Sequence, residues 1–174
     1  MKNSVRDEIK LTGIPSMDEL KASPGLVNGE RFEKGPVAVI ECVQEIPCNP
    51  CEAACPFDAI FVGSPITNLP VINGEKCTGC GTCLASCPGL AIFLVEKNYT
   101  DFSCLIEFPY EYLPFPKEGD IVPCGGRDGQ FIIEGKVVRV RKNKQLDGTT
   151  LVSVEVPKKY YMDIRTICRK RDSV

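Results

Sequence analysis

The side chains able to do chemistry in this chain are its cysteines, eleven in 174 residues with no histidine beside them. Cys77, Cys80, Cys83 and Cys87 are followed by Pro88. Three thiols at two-residue gaps can wrap one loop around three irons of a cubane iron-sulfur cluster, and such a loop also aims backbone N–H groups at the anionic core. An earlier run, Cys48, Cys51, Cys55 and Pro56, repeats the last three quarters of the pattern. A regular copy would open at position 45, but Glu45 stands there and the nearest upstream thiol is Cys42, so the first motif is stretched by three residues.

Around these runs the sequence must supply elements that hold the loops. An internal repeat with an offset of 32 aligns Cys48 with Cys80, Cys51 with Cys83, Cys55 with Cys87 and Ala59 with Ala91. Each half reads cysteines, Cys-Pro, then Ala-Ile-Phe in an apolar run of strand character. Val37 to Glu41, after Gly35-Pro36, reads as a strand leading into the first run. Ile66 to Asn73 reads as a loop plus a short strand, and Phe102, Cys104, Ile106 and Phe108 alternate as one face of a half-buried strand. Residues 1–35 are rich in Gly and Pro, with one helical turn expected near Ser16 to Lys21, and form an N-terminal arm pinned by contacts. Residues 109–118 carry Pro109, Pro114 and Pro116 and read as a linker. Beyond it, Gly119 to Val122, Gln130 to Arg141 and Thr149 to Val156 are Val- and Ile-rich runs between glycine turns, which suggests a small antiparallel sheet or barrel over 119–174. Lys158 to Arg171 ends the chain as a basic helix or an extended tail.

Composition narrows the chemistry. The lack of histidine excludes mixed cysteine-histidine zinc sites, Rieske clusters and His-based triads. The N-terminus lacks a signal-peptide core and no stretch approaches the roughly 18 apolar residues of a membrane span, so the chain reads as soluble and cytoplasmic. In that compartment an odd number of closely spaced cysteines points to metal or cluster binding over disulfides. The formal charge of −2 divides into −9 over residues 1–135 and +7 over 136–174. An acidic body with a basic end suits docking between proteins, and the basic stretch lacks the Gly-aromatic platforms of nucleic-acid binders.

On these motifs, residues 36–108 resemble the bacterial two-cluster ferredoxins. The resemblance implies an α+β domain with a pseudo-two-fold repeat and two 4Fe-4S clusters, the fourth cysteine of each run serving the other cluster. One cluster would then take Cys77, Cys80, Cys83 and Cys55. The other would take Cys48, Cys51 and Cys87 with one place open, for which the softer thiolate of Cys42 is favoured over Glu45; a three-iron cluster there is the alternative. The phrase Ile40-Glu41-Cys42-Val43-Gln44-Glu45-Ile46-Pro47-Cys48-Asn49-Pro50-Cys51 is also similar to ferredoxin-type subunits of anaerobic flavin-dependent amino-acid or imino-acid dehydrogenase complexes. That likeness implies flavin-containing dehydrogenase subunits as partners and a non-enzymatic role in passing on electrons.

Blander readings explain less. A four-cysteine zinc ribbon from Cys48, Cys51, Cys77 and Cys80 would strand Cys55, Cys83 and Cys87. Cys104, Cys124 and Cys168 stand alone and are expected to be inert thiols, with Pro123-Cys124-Gly125-Gly126 a turn. Phe108 to Phe115 suits a docking surface or a linker packed on the body equally. No GxGxxG opens a helix, so no nucleotide or flavin site is expected in this chain. An enzyme with an open iron at the irregular cluster, a free ferredoxin and a regulatory protein acting through the basic end are the competing functions.

Overall fold

The computed structural model describes residues 8–142 and 148–169. Its cysteine-bearing half runs in the order strand, cysteine loop, short helix, strand, twice. In the first pass these are β1 (Val37–Ile40), α3 (Pro50–Ala53) and β2 (Ile60–Phe61); in the second, β3 (Val71–Ile72), α4 (Thr82–Ser86) and β4 (Ile92–Glu96). β1 pairs antiparallel with β4, Val37 opposite Val95 and Ile40 opposite Ile92, while β2 pairs with β3 as a separate ribbon. The first strand of the first pass thus closes on the last strand of the second. All four residues of β1 are buried, as an apolar run with both faces covered requires.

The later strands extend the same sheet. β5 (Ser103–Pro109), β6 (Ile121–Gly125), β7 (Phe131–Arg141), β8 (Leu151–Pro157) and β9 (Thr166–Ile167) continue the first sheet, in the order β1-β4-β5-β8-β7-β6-β9. β5 is the joint: it pairs with β4 on one side and with β8 over seven residue pairs, from Ser103 opposite Pro157 to Pro109 opposite Leu151, on the other. Among the described residues this is an open seven-stranded sheet with β1 and β9 at its edges, not a closed barrel. The core is correspondingly continuous, running from Val39 and Ile92 through Ile106 and Phe108 to Val152, Val154 and Val137.

Several local expectations need correction. β5 is covered on both faces: Cys104, Ile106 and Phe108 are buried, and so are Leu105 and Glu107 on the other side, while Phe102 lies outside the strand and is 87% exposed. Its alternation looked half-exposed because Glu107 is buried against other polar groups. The stretch Lys158 to Arg171 is neither a helix nor an extended tail in its described part; a 3-10 turn at Lys158–Tyr160 leads to β9, and residues 170 and 171 lie outside the described residues. Gly125 belongs to β6, paired with Phe131 and Thr166, so the turn starts only at Gly126. In the segment after β5, Tyr110 is buried, Phe115 is half-buried and Leu113 is 75% exposed, so it both packs and presents surface.

The N-terminal segment is more ordered than a bare arm. α1 (Glu8–Thr12) and α2 (Met17–Ala22) precede a 3-10 turn at Gly29–Lys34. α2 opens with a reciprocal cap: the Glu19 amide donates to Ser16 Oγ at 3.3 Å, and the Ser16 amide donates to Glu19 Oε2 at 2.8 Å. Its Leu20 is buried, which for a leucine stabilises by about 1.5–3 kcal/mol. Pro24 and Gly25 then tie the two-stranded ribbon to the main sheet, accepting from Ile72 N–H at 3.1 Å and Ile40 N–H at 3.0 Å. Among the described residues no helix is long and apolar enough to cross a membrane.

Candidate metal centre

The two cysteine loops sit between the β1–β4 pair, the β2–β3 ribbon and helices α3 and α4, which pack on each other. Cys42, Cys48, Cys51 and Cys87 line one cavity, together with Ile40, Pro88 and Ile92. Cys42 therefore comes to Cys48 and Cys87 across the three-residue stretch of the first motif. Glu45, its rival, is exposed and faces a separate hollow with Val43, Leu69 and Glu19.

The buried thiols also feel the sulfurs of their neighbours from both runs. Burial pushes the Cys51 thiol up to about 11, with the neighbouring sulfurs of Cys87, Cys48 and Cys42 adding to it. Cys42 is raised by burial and then by Cys87 and Cys48. Cys83 is raised by burial and then by Cys77, Cys80, Cys55 and Cys51. Cys87, from the second run, thus keeps company with the first, and Cys55, from the first run, with the second. Cys51 and Cys83 are buried, whereas Cys80 is exposed.

Backbone donors reach the sulfurs. Ala59 N–H points to Cys55 Sγ at 3.3 Å and Ala91 N–H to Cys87 Sγ at 3.4 Å, two equivalent bonds made by residues related by the 32-residue offset. Ala38 N–H reaches Cys77 Sγ at 3.5 Å. Neither set closes on one ion: among the described residues no three cysteine or carboxylate side chains converge on a single metal position. All-sulfur donor sets, with N–H groups aimed at the sulfurs, fit an iron-sulfur group held by thiolates.

The loop from Cys77 to Cys83 is held from both added segments. Gly79 and Gly81 adopt φ of +73° and +83°, a backbone that favours glycine. A Cβ at Gly79 would come within 2.7 Å of Pro36, and one at Gly81 would strike the Arg141 guanidinium. Arg31, from the N-terminal segment, donates to Cys77 O at 2.8 Å, Gly74 O at 2.6 Å, Gly35 O at 3.1 Å and Pro36 O at 3.0 Å. Arg141, at the end of β7, donates to Cys80 O at 3.2 Å and pairs with Glu107, which also accepts from Ser153 Oγ at 2.6 Å.

The first loop starts from a different support. Glu41, next to Cys42, accepts from Arg127 Nε at 2.8 Å and from Arg165 Nε at 2.7 Å. Its side chain is 4% exposed and that of Arg165 2%. Glu41 directly follows β1 and Arg165 precedes β9, so this buried cluster joins the two edges of the sheet through side chains. Burial lowers the Arg165 guanidinium from its ordinary value while Glu41 opposes the shift. Arg31, Arg141, Glu107, Glu41, Arg127 and Arg165 were not visible in the sequence; the ion pairs among them span 34 to 124 residues and no motif marks them.

The isolated cysteines stand apart from both sets. Cys104 and Cys124 are fully buried in β5 and β6, and burial pushes each thiol up to about 12. Cys168 is half-buried and packs closely on Gly125.

Known proteins align with part of this arrangement. The chain is 49% identical over 47 residues to one subunit of the Na(+)-translocating ferredoxin:NAD(+) oxidoreductase complex of Acetobacterium woodii, covering 27% of this chain and 14% of that one. It is 35% identical over 83 residues to an uncharacterised ferredoxin of Methanocaldococcus jannaschii, covering 46% of this chain and 50% of that one. Against the polyferredoxin-like subunit of the aliphatic sulfonate oxidoreductase of Pyrococcus furiosus it is 48% identical over 48 residues, covering 28% and 27%. The chain thus spans half or less of the length of these relatives. No solved structure matches. Residues 70–93, which contain Cys77, Cys80, Cys83 and Cys87, match the 4Fe-4S binding domain family.

Proposed function

We propose that the chain is the iron-sulfur electron-transfer subunit of a multisubunit oxidoreductase, relaying single electrons between a flavoprotein partner and a further acceptor. Two 4Fe-4S clusters would be held, one by Cys77, Cys80, Cys83 and Cys55 and the other by Cys42, Cys48, Cys51 and Cys87. The observation that carries this reading is the exchange of the fourth thiol: Cys87 shares a cavity with Cys42, Cys48 and Cys51, while Cys55 couples to Cys83. The printed names of the relatives, ferredoxins and subunits of oxidoreductase complexes, support it.

Each cluster, when bound, would accept and release one electron without a proton or substrate. The chain's own residues do the rest. The eight thiolates fix the position of the acceptors, and the Ala38, Ala59 and Ala91 amides stabilise negative charge on sulfur. Exposed Cys80 gives one set an edge to solvent, and Ile46 and Leu90, 45% and 40% exposed, flank the other near Cys48 and Cys87. These two rims are the ports through which partners would exchange electrons.

The partner's identity rests on the phrase from Ile40 to Cys51, which points to flavin-dependent amino-acid or imino-acid dehydrogenase subunits. A cytoplasmic, anaerobic setting, and a division into arm, ferredoxin domain, linker and β-rich module at 1–35, 36–108, 109–118 and 119–174, belong to the same reading. Anaerobic purification with iron and sulfide analysis and EPR tests it. About eight irons and eight sulfides per chain, EPR-silent when oxidised and with two interacting signals when reduced, is the expected result. About seven irons with a signal in the oxidised state would put a three-iron cluster at the Cys42 set. Iron-free protein would overturn the reading.

A further inference from the structure

We propose that Arg31 and the Arg141–Glu107 pair set the reduction potential of the cluster held by Cys77, Cys80, Cys83 and Cys55, with Arg31 raising it and Glu107 lowering it. The inference rests on the cluster reading above. It assigns a role to the two segments that a bare cysteine repeat would not need.

Arg31 is 7% exposed, yet its side chain donates to four backbone carbonyls. One of them belongs to Cys77 itself, and another, Pro36, precedes by two residues the Ala38 amide that reaches Cys77 Sγ. The nearby carboxylate of Glu75 has a side chain 73% exposed and is paired with Lys34 at 2.8 Å. Solvent screens that pair, so Arg31 brings positive charge to the loop that is little offset. A buried, uncompensated guanidinium is costly unless something anionic shares its surroundings. A thiolate-bound cluster, which gains a further negative charge on reduction, is that anion. Its reduced form is favoured most, and the potential rises.

Glu107 acts on the same loop with the opposite sign. Its side chain is 3% exposed, and its charge is balanced by Arg141, which is bonded to Cys80 O. Removing the carboxylate leaves Arg141 unbalanced beside the loop and favours the reduced cluster. The two sites reach adjacent turns of one cysteine loop from chain segments 110 residues apart. Residues that merely held the loop in shape would not push its potential in opposite directions.

The test is a redox titration of full-length, anaerobically purified protein followed by EPR, with iron and sulfide measured on every sample. Arg31→Gln should shift the reduced-to-oxidised ratio of this cluster about tenfold toward oxidised at fixed potential, a fall of about 59 mV. Arg31→Lys, which keeps the charge and loses the fork of donors, should stay near the wild-type value. Glu107→Gln should raise the potential, and the Cys42 cluster should move less than the Cys77 cluster in every variant. Unchanged potentials in fully loaded variants would overturn the inference, as would shifts of one sign in all three. Loss of the Cys77 cluster from all three would overturn it too, since the residues would then serve loading alone. An iron-free wild-type chain would instead sink the cluster reading on which it rests.

Discussion

The loop from Cys77 to Cys83 and the segment from Cys42 to Cys51 present the same kind of side chain in different settings. The second-run loop is regular and short, with two glycines of positive φ, and arginines from both ends of the chain grip its carbonyls. The first-run segment is three residues longer between its opening thiols and departs from a buried Glu41–Arg127–Arg165 cluster instead. The matched 4Fe-4S family covers the former and does not reach the latter. A regular loop can be read from spacing because its geometry is local. A stretched one depends on what holds its first residue, and here that support comes from Arg165, just before β9, and from Arg127 in the β6–β7 loop.

Cys42→Ser against Glu45→Gln gives the largest effect expected. Loss of the Cys42 thiolate should remove or convert one cluster, with iron falling from about eight to about seven or fewer per chain and a new EPR signature in the oxidised state. Glu45→Gln should leave iron content and spectra as they were, because the carboxylate is exposed and lines a hollow separate from the cavity of the thiols. The reverse pattern would remove Cys42 from the site and make the first loop an oxygen-ligated or open centre.

Next in size is Glu41→Gln. It leaves the guanidiniums of Arg127 and Arg165 without their carboxylate, and breaking a buried ion cluster from one side costs about 3–5 kcal/mol. The denaturation midpoint of the anaerobic protein should fall accordingly, and the Cys42 cluster should be lost on warming before the Cys77 cluster. Simultaneous loss of both would mean that the two loops share their support after all. On the other side of the comparison, Gly81→Ala forces an L-residue into positive φ and pushes on Arg141, for a cost of about 1–2 kcal/mol or more. Its effect should show first at the Cys77 cluster. An unperturbed Cys77 signal with full iron would argue that Arg141 yields freely.

What could be read from the sequence follows the same division. The cysteine runs, the offset of 32, the strand at Val37 to Ile40 and the ribbon strand at Val71–Ile72 are local patterns and stand where spacing puts them. The continuity of the sheet through β5 and β8 was not legible, because Ser103 to Pro109 and Leu151 to Pro157 meet only through a register set over a long intervening stretch of chain. Glu107 read as the solvent side of an alternating strand, since alternation alone cannot tell a solvated carboxylate from one balanced by Arg141 and Ser153. Arg31 carried no signal at all, being one charge among several in a Gly- and Pro-rich stretch. The helical turn expected near Ser16 to Lys21 is α2, and Ser16-x-x-Glu19 at the spacing of a capping box marks its start.

That cap gives the smallest and most local effect, and it tests whether the N-terminal segment is separable from the loops. Glu19 is held below the ordinary carboxylate range, first by the Ser16 amide, with the Ile9 amide and the Ser16 hydroxyl adding to it and burial opposing. A carboxylate depressed in the folded state contributes stability that is present above its unfolded value and is lost as the pH falls through its folded value. Amide exchange in Met17–Ala22 should therefore accelerate on acidification through the carboxylate range, relative to exchange in β5. Ser16→Ala should produce the same acceleration at neutral pH, with a cost of about 1 kcal/mol at the helix. Arg31 and Pro24-Gly25 anchor the segment independently, so exchange at Ile40 and Ile72, whose amides donate to Gly25 and Pro24, should stay slow. If those amides also speed up in Ser16→Ala, the segment unfolds as one piece, and Arg31's hold on the Cys77 loop depends on a helix cap far from it in sequence.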